Sequence, residues 1–189
     1  VLLIGYALVA LVNLPTFNVE LLKLRGFCRL CDLTNANLEA MDLHGADLYY
    51  ANLTGSNLSG SNLSSANLDG TNLTNANLTA ANLSGVNLSR QDFTGTKLVE
   101  ADLSGANLAE ANLTMANLAG VDLTGANLSR ANLRGVDLAV VNLRGVDLRE
   151  VDLAVVNLIG ANLSGADLRD LDLAVANLAR ANLEGANLK

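Results

Sequence analysis

Hydrophobic and polar positions repeat every five residues over residues 31–189. Each unit contains a small residue, then Asn or Asp, then Leu and two variable residues, and residues 36–40 (Ala-Asn-Leu-Glu-Ala) are a typical copy. The apolar centre recurs at every fifth position from Leu33 to Leu188, which makes 32 units, and it is Leu in all of them except Phe93. The pattern indicates one long repeat domain.

A period of five is incompatible with a helix or a continuous strand. In a helix each Leu would lie about 140° further round than the last, and in a strand the odd period would alternate the faces. A three-residue strand followed by a turn solves both problems, because the small residue and Leu then share one face. All 14 glycines of the repeat occupy the fifth position, where a turn with positive φ favours Gly. These features predict an all-β solenoid.

A second period of 20 residues appears in the variable positions. The fifth-position column that runs in steps of 20 from Gly45 to Gly185 is Gly in every copy except Ser65. The fourth-position column from Thr34 to Thr114 is Thr throughout, which also raises an ice-binding function, although β-preference accounts for Thr here. The period predicts four units per coil, a square cross-section and about eight coils, spanning on the order of 40 Å.

The A(N/D)LxX pattern over residues 31–189 resembles the pentapeptide-repeat family. The resemblance implies a right-handed quadrilateral β-helix. Residues 21–33 (LLKLRGFCRLCDL) are also similar to the helix-CxxC-DL junction of cyanobacterial members that carry export signals. Most members have no assigned function, and a minority resemble DNA and bind type II topoisomerases, so a DNA-mimicking gyrase binder is an alternative function for this chain.

Three interpretations stay open for the apolar leader, residues 1–17. Residues 1–14 are apolar, which fits an export signal, a membrane anchor or a cap on the repeat. A spanning helix needs roughly 20 residues, so no stable membrane span is expected. Residues 18–30 are predicted to form a capping segment, in which Asn18 caps a short helix from Val19 to Arg25 and Gly26 ends it.

Cys28 and Cys31 form a CxxC pair between the cap and the repeat. A disulfide would fit an oxidising compartment, the periplasm or a thylakoid lumen. Two reduced thiols in a packed corner, or a metal or thiol-redox site, are the alternatives, and the cytoplasm is the alternative location. The single His and the lack of a second CxxC argue against a metal site.

Inward positions change in size along the repeat. The small residue is mostly Ala, but it becomes Val136, Val141, Val146, Val151 and Val156 in the later units, and then Leu171. These coils are predicted to be wider or more tightly filled. Phe93 and Lys97 replace the usual Leu and Asn or Asp, and they predict a local irregularity near the fourth coil.

Charge and composition argue against catalysis and nucleic-acid binding. The formal net charge is −7, and no phosphate-binding glycine motif occurs. With a single His and no nucleophile motif, we expect no enzyme activity, no cofactor and no metal. The Asp residues are spread over all four faces, and Arg90, Glu110, Arg130 and Glu150 alternate in one column. The column predicts an ion-pair ladder, which weakens the continuous acidic surface that a DNA mimic requires.

An unidentified protein partner is the better expectation. Four apolar side chains are predicted at outward turn positions of the C-terminal half: Val140, Val155, Ile159 and Val175. Exposed apolar patches often mark partner surfaces. The repeat stops at Lys189 without a capping helix, which is expected either of a truncated chain or of a homodimer through the C-terminal coils.

Overall fold

The backbone winds into coils of 20 residues. A computed structural model describes residues 15–153, 156–174 and 176–189. Every backbone bridge in these ranges is parallel and joins a residue to the one 20 positions later, as from Asn37 to Asn57. The predicted coil of four units is therefore confirmed.

Most described units contribute a single bridged residue at the second position, which is Asn or Asp except for Lys97, rather than the predicted three-residue strand. A regular unit is nevertheless joined to the next coil by three backbone hydrogen bonds. Leu38 N–H donates to Asn57 O (2.7 Å), Asn57 N–H donates to Ala36 O (2.9 Å), and Ala40 N–H donates to Ser59 O (2.8 Å). Turns on both sides of each wall leave no room for a longer strand.

The turns explain why the second position is Asn or Asp. Its Oδ1 accepts the backbone N–H of the fourth residue, as from Glu39 to Asn37 (3.2 Å), which is an Asx turn. All described fifth positions from Leu30 to Gly185 have a φ between 52° and 75°. The prediction of positive φ is confirmed, but 16 non-glycine residues in the described ranges also adopt it.

The core is a ladder of Leu side chains. From Leu33 to Leu168 the central residue of every unit is at most 3% exposed. Each buried Leu contributes about 1.5–3 kcal/mol relative to an exposed one. The small inward residues, such as Ala76 and Ala106, complete the interior beside them. Burial of this ladder drives the coiling, since no helix–helix or sheet–sheet packing is available to the repeat.

Helix α1, Pro15–Arg25, covers the first coil and buries Leu22. The predicted start at Asn18 is wrong: Pro15 begins the helix, because proline suits a first turn. Asn18 lies inside the helix, fully buried, and its Nδ2 donates to Asp32 O (2.7 Å). Gly26 ends the helix as predicted, with φ 67° and its N–H donated to Leu22 O (2.8 Å).

The predicted disulfide is present. Cys28 and Cys31 are bonded, with their Cα atoms 5.4 Å apart, where α1 meets the first coil. The three interpretations of residues 1–14 lie outside the described residues. Within the described ranges, no helix has the length and apolar character needed to cross a membrane.

Candidate protein-interaction surface

One wall of the rod has exposed apolar side chains at the turns on both sides. We call it the Lys97 wall; its outward residues are Asn37, Asn57, Asn77, Lys97, Asn117, Asp137, Asn157 and Asn177. Met115, 74% exposed, lies in the turn that precedes it. Val140, 80% exposed, and Ile159, 37% exposed, lie in turns that follow it. The apolar rim is therefore concentrated in the C-terminal half.

Two of the four predicted interaction residues are brought together here. Val140 N–H donates to Ile159 O (2.9 Å), so their turns are stacked in neighbouring coils. Val155 and Val175 lie outside the described residues. Met115 was not predicted, although its fifth position, in a column that holds Asn and Gly up to that point, is a signal for exposure.

Val140 is held in an unfavourable conformation. Its φ is 55°, and a β-branched residue rarely adopts the left-handed region. The same column contains Ala80 and Gly120 in the corresponding turns, which fit that φ with less strain. A strained residue that is also exposed and apolar is a candidate for function.

The backbone ladder is interrupted once before this region, where Phe93 and Lys97 predicted an irregularity. Among the described residues, no bridge joins Asn67 to Asn87 or Asn72 to Asp92. Two buried side chains connect the coils there instead. Gln91 Nε2 donates to Leu68 O (2.6 Å), and Thr96 Oγ1 donates to Leu73 O (2.9 Å). The interruption reaches Asp92 beside Phe93, whereas Lys97 keeps its bridges to Asn77 and Asn117, and the role of Gln91 was not predicted.

A second interruption lies in the Lys97 wall itself. The described residues contain no bridge from Asn117 to Asp137. The N–H groups of Leu118, Gly120 and Asp137 donate to no backbone acceptor in the described ranges. Their counterparts one coil earlier are all paired: Leu98 N–H to Asn117 O (2.9 Å), Glu100 N–H to Ala119 O (2.8 Å) and Asn117 N–H to Thr96 O (3.2 Å).

A cleft of about 270 Å³ lies at this second interruption. Its lining residues belong to two successive coils and include Met115, Ala116, Leu118, Asp137 and Ala139. The cleft is thus bordered by the exposed apolar rim and by backbone groups without ladder partners.

Growth of the inward side chain accompanies the interruptions. Ala116 is followed one coil later by Val136, both buried, at the interrupted wall. In a close-packed interior two extra methyl groups press on the wall, and we attribute the open ladder at this position to that pressure. The step from Ala126 to Val146 leaves the bridge from Asn127 to Asp147 intact. A larger inward residue is therefore not sufficient on its own.

The corner diagonally opposite the Val140 turn has paired charges, as predicted. Arg90 Nε lies 3.0 Å from Glu110 Oε2, and Arg130 Nε lies 2.8 Å from Glu150 Oε2. The hydrogen bond from Arg90, and then its charge, lower the pKa of Glu110. The corner therefore has an alternating pattern of paired charge rather than a continuous acidic field.

A second pair of carboxylates on the neighbouring wall is also bound by arginine. Arg149 Nη2 lies 2.7 Å from Asp147 Oδ2, and Arg169 Nη2 lies 2.6 Å from Asp167 Oδ2. These hydrogen bonds lower the pKa of both carboxyls. In the part of the chain that the structure describes, no three His, Cys, Asp or Glu side chains are placed to bind a metal ion together.

Solved structures similar to this chain are pentapeptide repeat proteins. HetL of the cyanobacterium Nostoc sp. strain PCC 7120, involved in heterocyst differentiation regulation, is 31% identical over 94% of this chain and 93% of its own, with TM-score 0.40. Trypsin-treated QnrB1, a plasmid-mediated fluoroquinolone resistance protein, is 19% identical over 86% and 89%, with TM-score 0.51. A thylakoid-lumen member from Arabidopsis thaliana is 32% identical over 56% and 63%, with TM-score 0.27.

The family model provides the assignment. No curated protein sequence matches the chain significantly. The model named Pentapeptide repeats matches eight copies, over residues 28–60, 56–95, 87–125, 116–154 and 157–189. These matches cover residues 28–154 and 157–189, nearly all of the repeat that the sequence pattern defines, and the family implies a quadrilateral β-helix. The chain belongs to the pentapeptide-repeat family.

Proposed function

We propose that this chain is a non-enzymatic scaffold that binds a protein partner through the turns beside the Lys97 wall. The observation that carries the proposal is Val140, which is 80% exposed at a φ of 55° in a rod that turns its Leu side chains inward. A strained, exposed apolar residue costs stability, so a binding role accounts for it.

The surroundings of Val140 support binding by apolar contact. Ile159 lies in the adjacent turn of the next coil, and Met115 lies across the wall. Ala139 shares the turn of Val140 and Ala119 lies in the turn one coil earlier, so no charged side chain separates Val140 from Ile159 along this corner. Asp137 lies on the wall between this corner and Met115. The paired charges lie on the opposite corner, where they favour solubility.

A pull-down with a matched control tests the proposal. The double variant Val140→Asp/Ile159→Asp places two charges on the apolar rim. The control Thr79→Asp/Ala80→Asp places two charges on the same corner in the N-terminal half, where Ala80 has the same φ as Val140, 55°. A partner that the wild type and the control retain, and that the first variant loses, supports the proposal. A partner that all three proteins retain contradicts it.

The alternative function is a DNA-mimicking binder of a type II topoisomerase. The formal charge of −7 is compatible with it. The ion pairs of Arg90 with Glu110 and Arg130 with Glu150 reduce the acidic field that it needs. A gyrase supercoiling assay distinguishes the two functions. The scaffold proposal predicts no inhibition at tens of micromolar protein, and inhibition there would favour the alternative.

We propose an extracytoplasmic location, the periplasm or a thylakoid lumen, with the cytoplasm as the alternative. The Cys28–Cys31 disulfide supports the proposal, because structural disulfides persist in oxidising compartments. Rapid alkylation of cells followed by mass spectrometry provides the test. Cysteines that are alkylated only after reduction support export, and cysteines that are alkylated directly support the cytoplasm.

A homodimer through the C-terminal coils, residues 171–189, stays a prediction. Multi-angle light scattering measures it directly. A mass of two chains that falls to one chain when Leu178 is replaced by Glu would support it. The mass of one chain at high micromolar concentration would contradict it.

A further inference from the structure

We propose that the cleft between Asn117 and Asp137 binds the amide side chain of a Gln or Asn from an extended segment of the protein partner. The inference rests on the proposed function and specifies what the partner presents to this surface. It concerns the interrupted ladder rather than the apolar rim, so the two can be tested separately.

Several backbone groups at the cleft have no ladder partner. In addition to the three N–H groups described above, the carbonyls of Ala116, Asp137 and Ala139 accept no backbone hydrogen bond in the described ranges. Ala116 and Leu118 are buried while Gly120 and Asp137 are exposed, so the unpaired groups border an accessible cleft and favour a ligand that offers both donors and acceptors. A carboxamide carries two N–H donors and a carbonyl acceptor on one short side chain.

The chain itself uses a carboxamide at the first interruption, from the interior of the coil. Gln91 crosses the first interruption and donates from Nε2 to Leu68 O at 2.6 Å. Among the described residues, no side-chain hydrogen bond crosses the second interruption, between residues 116–121 and 136–141. A partner's Gln or Asn would therefore supply at the second interruption the side-chain amide hydrogen bond that Gln91 supplies at the first.

Size and surroundings restrict the occupant further. A cleft of about 270 Å³ accommodates a side chain, while insertion of a whole strand would require the coils to separate by a further strand spacing of about 4.8 Å. Met115, Ala119 and Ala139 line its apolar edges. The segment that fits has an amide side chain with apolar residues two positions away on either side, because alternate side chains of an extended chain share one face.

Binding of a defined peptide pair tests the inference. The probes are fluorescein-labelled Lys-Val-Thr-Gln-Thr-Val-Lys and the same peptide with Leu in place of Gln. We expect the wild type to bind the Gln peptide about tenfold more tightly than the Leu peptide, a difference of about 1.4 kcal/mol. Equal affinities, or no binding of the Gln peptide, would overturn the inference, and this comparison needs no protein variant.

Two matched Val-to-Ala variants link any preference to the cleft. Val136→Ala restores the inward size of Ala116 and is expected to close the ladder, which removes the preference for Gln. Val146→Ala deletes the same methyl groups where the bridge from Asn127 to Asp147 is intact, and it is expected to leave the preference unchanged. A Gln preference that survives Val136→Ala overturns the inference.

The outcomes also separate the inference from the proposed function. If the Gln peptide does not bind, or binds no more tightly than the Leu peptide, but Val140→Asp/Ile159→Asp still abolishes capture of the partner, the inference is wrong and the proposed function stands. If the partner is insensitive to that double variant, the proposed function fails, whatever the peptides do.

Discussion

The ring of Tyr50 lies over Gly70, one coil further along the same corner. A Cβ at Gly70 would lie 2.6 Å from Tyr50 Cε2, closer than real Cβ atoms approach. The ring also contacts Tyr49, with centroids 4.6 Å apart. Gly70 therefore meets two requirements, a φ of 68° and space for a neighbour's ring.

This relationship predicts that Gly70→Ala is more destabilising than Gly85→Ala. Both glycines have positive φ, 68° and 67°, so both variants carry a backbone penalty of about 1 kcal/mol. Only Gly70→Ala must also displace the Tyr50 ring, because nothing lies within 4 Å of a Cβ at Gly85. Urea unfolding measures both free energies. Equal losses would show that the ring moves away without cost.

Val140→Gly is predicted to stabilise the rod by about 0.5–1 kcal/mol, because it relieves positive φ at a β-branched residue. Little packing is lost, since Val140 is 80% exposed. The neighbouring Ala139→Gly is the control; it has no positive φ to relieve and is expected to destabilise. Thermal unfolding provides the comparison. A loss of stability in Val140→Gly would refute the strain argument.

Gln91→Leu is predicted to destabilise the protein by about 1 kcal/mol, and Gln91→Ala by about 2–4 kcal/mol. Leu keeps most of the volume but removes the bond to Leu68 O, while Ala also leaves a cavity beside Phe93. Chemical denaturation of the two variants separates the hydrogen bond from the packing. A Leu variant as stable as the wild type would show that the amide does not hold the first interruption.

Acid sensitivity is predicted at Asp167. The hydrogen bond from the Arg169 side chain, with help from its backbone N–H and its charge, lowers the pKa of Asp167. A carboxyl whose pKa is lower in the folded state stabilises the protein above its unfolded pKa of about 3.9, and the contribution is lost as the pH falls through the folded value.

Arg169→Gln tests this assignment by NMR titration of the Asp167 carboxyl. The variant is expected to raise the pKa of Asp167 and to reduce the dependence of stability on pH below about 4. Arg180→Gln removes the same charge from a turn that has no ion pair in the described ranges, and it should leave the titration unchanged. An Asp167 titration that is identical in Arg169→Gln would contradict the pairing.

The repeat frame, the coil of 20 residues and the positive φ of the fifth position follow from periodicity, because each is repeated in many copies. The start of α1 does not follow from periodicity. Asn18 is a residue type that often caps helices, but here its side-chain amide donates to the backbone carbonyl of Asp32. Predicting the second interruption from the sequence would require a comparison of Ala116 with Val136, which are one coil apart. It would also require knowing how the packed interior responds to the larger side chain. Ala116 and Val136 are each common residue types at the inward position, so neither one alone predicts an interruption.

We attribute the open backbone ladder of the Lys97 wall to the step from Ala116 to Val136. Amide hydrogen exchange at Leu118, compared with Leu98 one coil earlier, tests it most directly. We predict exchange about tenfold or more faster at Leu118 in the wild type, equal rates in Val136→Ala, and no change in Val146→Ala. Equal protection of the Leu118 and Leu98 amides in the wild type would contradict the claim.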